Sequence, residues 1–421
     1  MLLAISNNHF NKIIIVAIII FHSLSFADIE KTEFSNISFN KAVSLLNNHN
    51  ALIALKYKTK SIKEEEIAES QWEDPLLRLD GSNFPINNFN MGNSAMTGIQ
   101  LTLSQKIPIT SKYSKLKLSL GEKAKAVHNI KNTLKRKLIL KVWENAILKE
   151  EILNNITIYE ENIVWVNDMI QASNQLYVVG KISQHVLFNL KIKSSELEAL
   201  LLTSKQKIII LNSKLSEILN INLISLDINT MPWIYIENYS LSTANNNSQE
   251  ISLESELKSA QYLCNSKRLE QIPDITIGFN YRYRDNFDSN GDFAGAFISI
   301  PIPFNKKRSS SYKSAVNLYK EKTNQLQSFR KNLKAKLVRL QAEINRYETE
   351  LTIIKEKTIE FAKNSLEIIE KRYKVGTSSY MELINSVLKL QNLRLKVFNL
   401  ESKIKNLKIQ YLYETGSSLI I

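Results

Sequence analysis

Glycine and proline are scarce in this chain, ten and seven among 421 residues. Both residues are costly inside a helix, so their rarity points to a mostly helical protein. Cysteine is rarer still. The single Cys264 excludes an intramolecular disulfide, and its distance from the N-terminus excludes it as an N-terminal lipid attachment point, leaving a small buried residue as its expected role. Histidine is thin as well: beyond residue 27 only His49, His128 and His185 occur, scattered and without cysteine or paired-carboxylate partners at ligand spacing. No glycine-rich phosphate loop accompanies them, so no enzyme chemistry, no cofactor and no metal site is expected. Past residue 27 there is also no apolar run of about eighteen residues, which excludes a transmembrane helix there. If the chain enters a membrane, it does so as strands.

What is present begins with Lys12, followed by the apolar run Ile13 to Phe21 and then by Ser25 and Ala27 as a small-x-small pair. That order predicts a cleavable signal peptide over residues 1–27, and an apolar run this short cannot span a bilayer. The formal charge of +14 invites a nucleic-acid reading. The lysines are spread along helical faces rather than gathered in a block, and an exported protein meets little nucleic acid, so no nucleic-acid partner is expected.

Two stretches repeat. LYVVGKIS (Leu176 to Ser183) and RYKVGTSS (Arg372 to Ser379) share Tyr177/Tyr373, Val179/Val375, Gly180/Gly376 and Ser183/Ser379 at one constant offset. Upstream of each lies a pair of alternating segments, residues 76–109 and 274–304. In the first, Ile99, Leu101 and Leu103 interleave with Gln100, Thr102 and Ser104; in the second, Ile275, Ile277, Phe279, Tyr281 and Tyr283 interleave with polar residues. Period two with one apolar and one polar face suits a half-buried sheet or a lipid-facing, water-lined barrel wall. The joining loops, Ser82 to Ser94 and Asp285 to Asp292, read as exposed hairpin tips.

Between these segments run long helical patterns. Leu326, Leu333, Leu340, Tyr347, Ile354 and Phe361 recur every seven residues, as do Leu383, Leu390, Val397, Ile404 and Tyr411 after Gly376. The first copy matches with Leu190, Leu197, Leu211 and Ile218 in one row and Leu187, Leu201, Ile208 and Leu215 in another. Such rows are coiled-coil seams. Gly180 and Gly376 are then the reversals of two antiparallel helix pairs, with Ser183 and Ser379 placed to cap the returning helices. The chain reads as a duplicated β-β-α-α unit, mainly α: a first repeat over 28–224 with N-terminal helices, a linker over 225–250, and a second repeat over 251–421. Four strands cannot close a membrane barrel and an open sheet leaves unpaired edges, so several chains must share one barrel if these strands enter lipid.

At this point the residues resemble the TolC-like outer-membrane factors. The resemblance covers essentially the whole mature chain and rests on the doubled Tyr-x-Val-Gly-x-x-Ser, the two strand pairs, and the ending YLYETG, where Leu412, Thr415 and Gly416 match. WEDPLLRLDGSNFP, SQKIPI and ISIPIPFNKKR further resemble the heavy-metal, CzcC-like branch. The resemblance implies a homotrimer: a twelve-stranded β-barrel in outer-membrane lipid, continued by a long periplasmic α-helical barrel. It implies a passive exit duct for metal cations or small molecules, driven by an inner-membrane efflux pump through a periplasmic adaptor protein. A type I protein-secretion duct is the alternative within the family. A periplasmic adaptor or a structural coiled-coil protein is the alternative outside it.

By position, Gly180 and Gly376 sit at the periplasmic tip turns, and Tyr177 and Tyr373 are candidates for a tip gate, Tyr373 matching a tyrosine that helps close the prototype. An acidic residue commonly lies six after the glycine. Glu382 keeps it, whereas Val186 replaces it in the first copy, and Ser378 stands where the prototype has an arginine. Either tyrosine could equally pack a turn, and Glu382 could simply favour a helix N-terminus.

Overall fold

Short paired strands alternate with very long helices along the chain. The computed structural model describes residues 34–222, 224–237, 247–285, 290–375 and 377–420. The expected signal peptide (1–27), Gly376, part of the expected linker and part of the second hairpin loop lie outside them. The elements are β1 (Ser35–Ile37), α1 (Phe39–Leu45), α2 (Asn50–Glu69), β2 (Leu76–Ser82), β3 (Gly98–Ile107), α3 (Lys112–Val178), α4 (Gln184–Leu219), β4 (Ile224–Leu226) and α5 (Ile234–Glu237). There follow α6 (Ser248–Leu269), β5 (Ile275–Tyr283), β6 (Phe293–Ser299), α7 (Lys307–Ile353), a π-turn (Ile354–Thr358), α8 (Ile359–Lys374) and α9 (Tyr380–Glu414).

Four strands form one antiparallel sheet in the order β2-β3-β5-β6. Two boundaries differ from the sequence reading. β3 stops at Ile107 rather than running to residue 109, and β6 covers Phe293–Ser299 rather than ending at residue 304. Proline is the cause in both places: Pro108, Pro301 and Pro303 have no N–H to give to a ladder.

The helices pack in two rows that share α3. Near the sheet the sequence of neighbours is α2-α3-α6-α7, and farther away it is α4-α3-α9 followed by α7 and α8. With 67 residues, α3 reaches roughly 100 Å and runs through both rows. The expected seams pack as read: Leu187, Leu190, Leu197, Leu211 and Leu215 are buried on α4, and Leu383, Val397, Leu400, Ile404 and Tyr411 on α9.

One seam departs from its heptad. Leu340, Ile344 and Ile354 face inward, yet Phe361, seven residues past Ile354, is exposed. The π-turn over Ile354–Thr358 fits one extra residue into the helix and so advances the inward face by one position. Ile359, Ala362, Leu366, Ile369 and Tyr373 take over the half-buried positions, and Phe361 and Ile368 turn outward.

The largest core lies where the two rows meet. Phe39 from α1 and Leu46 just after it, Val142, Trp143, Ala146 and Ile147 from α3, Leu215 and Leu219 from α4, Leu226 from β4, and Ile409 and Leu412 from α9 are buried together. Trp143 is its centre: its ring lies 5.0 Å from Phe39 and 6.0 Å from Trp233, and its indole N–H donates to Leu419 O at 3.1 Å. Residues 225–250, expected as a linker, belong to this core in part. β4 pairs in parallel with β1, Met231 and Ile236 are buried, and α6 begins at Ser248. Cys264, expected to be buried, is a free, half-buried thiol on α6.

Beneath this core Lys149 is buried, and its ammonium donates to Ser225 Oγ at 2.8 Å and Leu226 O at 2.7 Å. Burial pushes its pKa down, opposed by Asp227.

Two outcomes follow for purified, detergent-solubilised protein. Trp143→Ala removes the central ring and should cost about 3–5 kcal/mol, read as a lowered thermal midpoint, with Trp143→Phe losing clearly less. Between the lowered native pKa of Lys149 and its unfolded value of about 10.4, the unfolded chain binds more protons, so stability rises with pH across that window. Lys149→Met should flatten that rise; an unchanged pH slope would remove Lys149 as its source.

Candidate functional site

Two regions carry the features of a site: the four-stranded sheet and the helical tip. The sheet register sorts its side chains cleanly. Leu77 lies opposite Leu103, Leu79 opposite Leu101, Leu103 opposite Phe279, Leu101 opposite Tyr281 and Ile99 opposite Tyr283, so one face is continuously apolar. Arg78, Asp80, Gln100, Thr102, Asn280 and Arg282 share the other face. The apolar face is the exposed one, with Leu79 at 71% and Phe279 at 64%, while Thr102 on the polar face is 8% exposed. Among the described residues no helix packs on the sheet, so its apolar face stays uncovered. An uncovered apolar sheet face is unfavourable in water and suited to hydrocarbon. No helix among the described residues is long and apolar enough to cross a membrane.

At the other end each helix pair reverses. Gly180 adopts φ +71°, its N–H bonds Tyr177 O at 2.9 Å, and Lys181 N–H bonds Leu176 O at 2.9 Å. This is the glycine-ended helix stop that the sequence predicts at that position. In the second tip Thr377 N–H bonds Arg372 O, also at 2.9 Å, spanning the same number of residues around Gly376.

The two returning helices start differently. Ser379 accepts from Glu382 N–H at 3.2 Å and Glu382 Oε2 accepts from Ser379 N–H at 3.3 Å, a reciprocal capping box. The Ser378 hydroxyl donates to the same carboxylate. The Ser378 and Ser379 bonds hold the Glu382 carboxyl below its ordinary pKa, so it stays ionised at neutral pH. Ser183 occupies the matching N-cap position with the same extended backbone, yet its side chain makes no capping bond. Val186, three residues into its helix, offers no carboxylate to complete a box; its N–H bonds Ser183 O at 3.2 Å rather than the hydroxyl, and its side chain packs against the apolar cluster at the tip.

That cluster joins the two hairpins. Val166 from α3, Leu190 and Leu197 from α4, and Tyr380 and Ile384 from α9 are buried, with Tyr373 packed beside them. The Tyr373 and Tyr380 rings are 5.7 Å apart, and the Tyr380 hydroxyl donates to Met169 O at 2.8 Å across the helix pair. Burial raises the Tyr380 pKa, so its hydroxyl keeps its proton. The structure thus brings together Tyr373, Ser378, Ser379 and Glu382, and leaves Tyr177 outside the group and 42% exposed. Tyr380 is the residue sequence reasoning missed. Its signal was available, since it stands three before Leu383 and four before Ile384 on the seam face of α9.

The asymmetry between the tips is measurable. Ser379→Ala should cost about 1 kcal/mol of local stability and speed hydrogen exchange at the start of α9. Ser183→Ala should leave the start of α4 nearly unchanged; equal effects would contradict the capping difference.

Comparison with known proteins adds a partial family match and a shared fold. Residues 241–409 match the family described as outer membrane efflux protein. No curated protein matches. Among solved structures the chain is similar to the outer membrane protein VceC of Vibrio cholerae, with 13% identity and a TM-score of 0.73 over 91% of this chain and 97% of that one. It is similar to CusC, with 13% identity and a TM-score of 0.74 over 94% and 96%. It is also similar to the CmeC outer membrane channel of Campylobacter jejuni, with 14% identity and a TM-score of 0.70 over 94% and 91%. The second half of the chain thus carries the outer membrane efflux protein match, and most of its length carries the fold of these solved outer-membrane channels.

Proposed function

We propose that three copies of this chain close into one duct, a twelve-stranded barrel in the outer membrane continued by a periplasmic helical barrel, through which an inner-membrane pump expels small solutes by way of a periplasmic adaptor. The observation that carries this is the openness of the protomer. Among the described residues the sheet ends at β2 and β6, and its apolar face is uncovered. Unpaired strand edges are not tolerated in hydrocarbon, and pairing β6 of one copy with β2 of the next satisfies both edges.

The helical rows are open in the same way. Phe188 and Ile192 on α4 and Phe361 and Ile368 on α8 are exposed at opposite ends of the lower row, and a ring of copies covers both. The order strand, strand, long helix, returning helix occurs over residues 76–219 and again over 275–414, which supports reading 28–224 and 251–421 as repeats of one unit. Residues 1–27 serve as the signal for export.

Gly180 and Gly376 mark the tips that face the periplasm, with Ser183 and Ser379 starting the returning helices. Tyr373 holds the tip closed together with Tyr380; Tyr177 and Glu382 complete the gate, with Glu382 acting as a cap rather than as half of a charged lock. The passenger is a metal cation or another small molecule, metal being favoured by the likeness to the CzcC-like branch. The duct has no catalytic role.

Light scattering of the detergent-extracted protein should give about three times the 48.4 kDa chain mass, with an elongated particle by negative stain. A compact monomer would end the duct reading. In cells, Tyr373→Ala should raise sensitivity to large antibiotics that the outer membrane normally excludes. Unaltered sensitivity with intact trimers would leave Tyr373 as a packing residue of its own hairpin.

A further inference from the structure

The polar face of the sheet has a charge imbalance that the duct reading does not use. The register sets its side chains in transverse rows: Asp80, Gln100 and Arg282 lie in one, and Arg78, Thr102 and Asn280 in the next. Arg78 Nε donates to Asp80 Oδ1 at 2.6 Å, so that carboxylate already has its cation. Arg282 turns to a neutral acceptor instead: its Nε and Nη2 both donate to Gln100 Oε1, at 3.1 and 2.8 Å. The Gln100 amide in turn donates to Thr102 Oγ1 at 3.1 Å, so the guanidinium is held in place by a neutral chain of hydrogen bonds.

The remaining charges on this wall do not offset it. Lys106, at the helical end of β3, is paired with Glu73. Asp292, beyond the other end, takes the Tyr281 hydroxyl, and Tyr281 belongs to the apolar face. Between these ends the polar face of each chain carries two arginines and one aspartate.

We infer that the barrel wall is anion-selective and that Arg282 is its specificity-determining residue, so that, among the passengers proposed above, small organic anions and anionic metal complexes traverse the outer membrane more readily than bare metal cations. The inference rests on the trimeric-barrel reading above, in which the polar face lines the lumen and Arg282 occurs three times around it. Fixed charges act over a Debye length of about 8 Å at physiological ionic strength, so a ring of them reaches well into a water-filled lumen. No other described group on these rows cancels them, and a guanidinium keeps its charge at every physiological pH.

The test is the reversal potential of the full-length protein in planar lipid bilayers across a potassium chloride gradient. Wild type should pass chloride in preference to potassium. Arg282→Gln should lower the chloride-to-potassium permeability ratio by about two- to three-fold, as expected for removing one nearby unit charge per chain in a wet lumen. Arg282→Lys, which keeps the charge and loses the fork, should retain the preference, and Asp80→Asn should raise it. A seminative gel confirms that each variant remains an oligomer. Potassium preference in wild type, or a ratio that Arg282→Gln leaves unmoved, would overturn the inference and leave the duct standing. Absence of any conductance would bring down the duct reading and the inference with it.

Discussion

The constraint on which the rest of this structure depends is the pairing of backbone groups along β2 and β6. Every N–H and C=O in a strand needs a partner, and in hydrocarbon water cannot supply one. A four-stranded sheet has two edges that the described residues leave open, and here the face carrying Leu79, Leu101 and Phe279 is apolar and exposed. A water-soluble protein would cover that face with a helix. In this chain α3 and α7 leave the sheet after β3 and β6 and pack with one another's neighbours instead.

The helices meet a related problem by a different route. A hairpin whose returning helix of 35 residues runs roughly 50 Å needs a seam that stays in register over its whole length, and any drift of 3.6 against 3.5 residues per turn must be absorbed somewhere. In the second hairpin the π-turn at Ile354–Thr358 absorbs a whole residue at once. Above it Leu340 and Ile344 pack inward; below it Tyr373 is delivered to the Tyr380 cluster, while Phe361 and Ile368 are released to the outer surface. Without the extra residue, Phe361 and Ile368 would keep the seam and Tyr373 would turn away from α9. The placement of the tip tyrosine is therefore a consequence of a defect twenty residues away from it.

Much of this was legible in the residues, and the parts that were not share a cause. Period-two alternation marked β3 and β5, with β2 and β6 beside them, because side-chain period is a local property, whereas the three-residue β1 and β4 went unread; the missed ends fell at prolines, whose lost N–H matters only once a ladder exists. Gly180 was found because a left-handed φ selects for glycine locally. The π-turn was invisible: IKEKT has no proline or glycine to mark it, and its phase shift shows only against the facing helix. The core role of residues 225–250 was hidden for the same reason. A stretch with few helical or strand signals reads as a linker until β1, about 190 residues earlier, is seen beside it.

The tip carries the same lesson in its charges. By alignment alone, Glu382 invites a role as half of an ionic lock, with Ser378 as an unexplained loss of the opposing arginine. The geometry makes the two residues one unit: Ser378 donates to the carboxylate that also receives the Ser379 amide, so the acid is committed to starting α9. A carboxylate held this way has little to offer a neighbouring chain. What joins the hairpins at this level is apolar contact and one hydroxyl, Tyr380 to Met169 O, with exposed pairs such as Arg394 with Glu161 contributing at most about 1 kcal/mol. On the duct reading proposed above, a tip held by packing would open when a partner offers its apolar surface a better place to go, without breaking a buried ion pair.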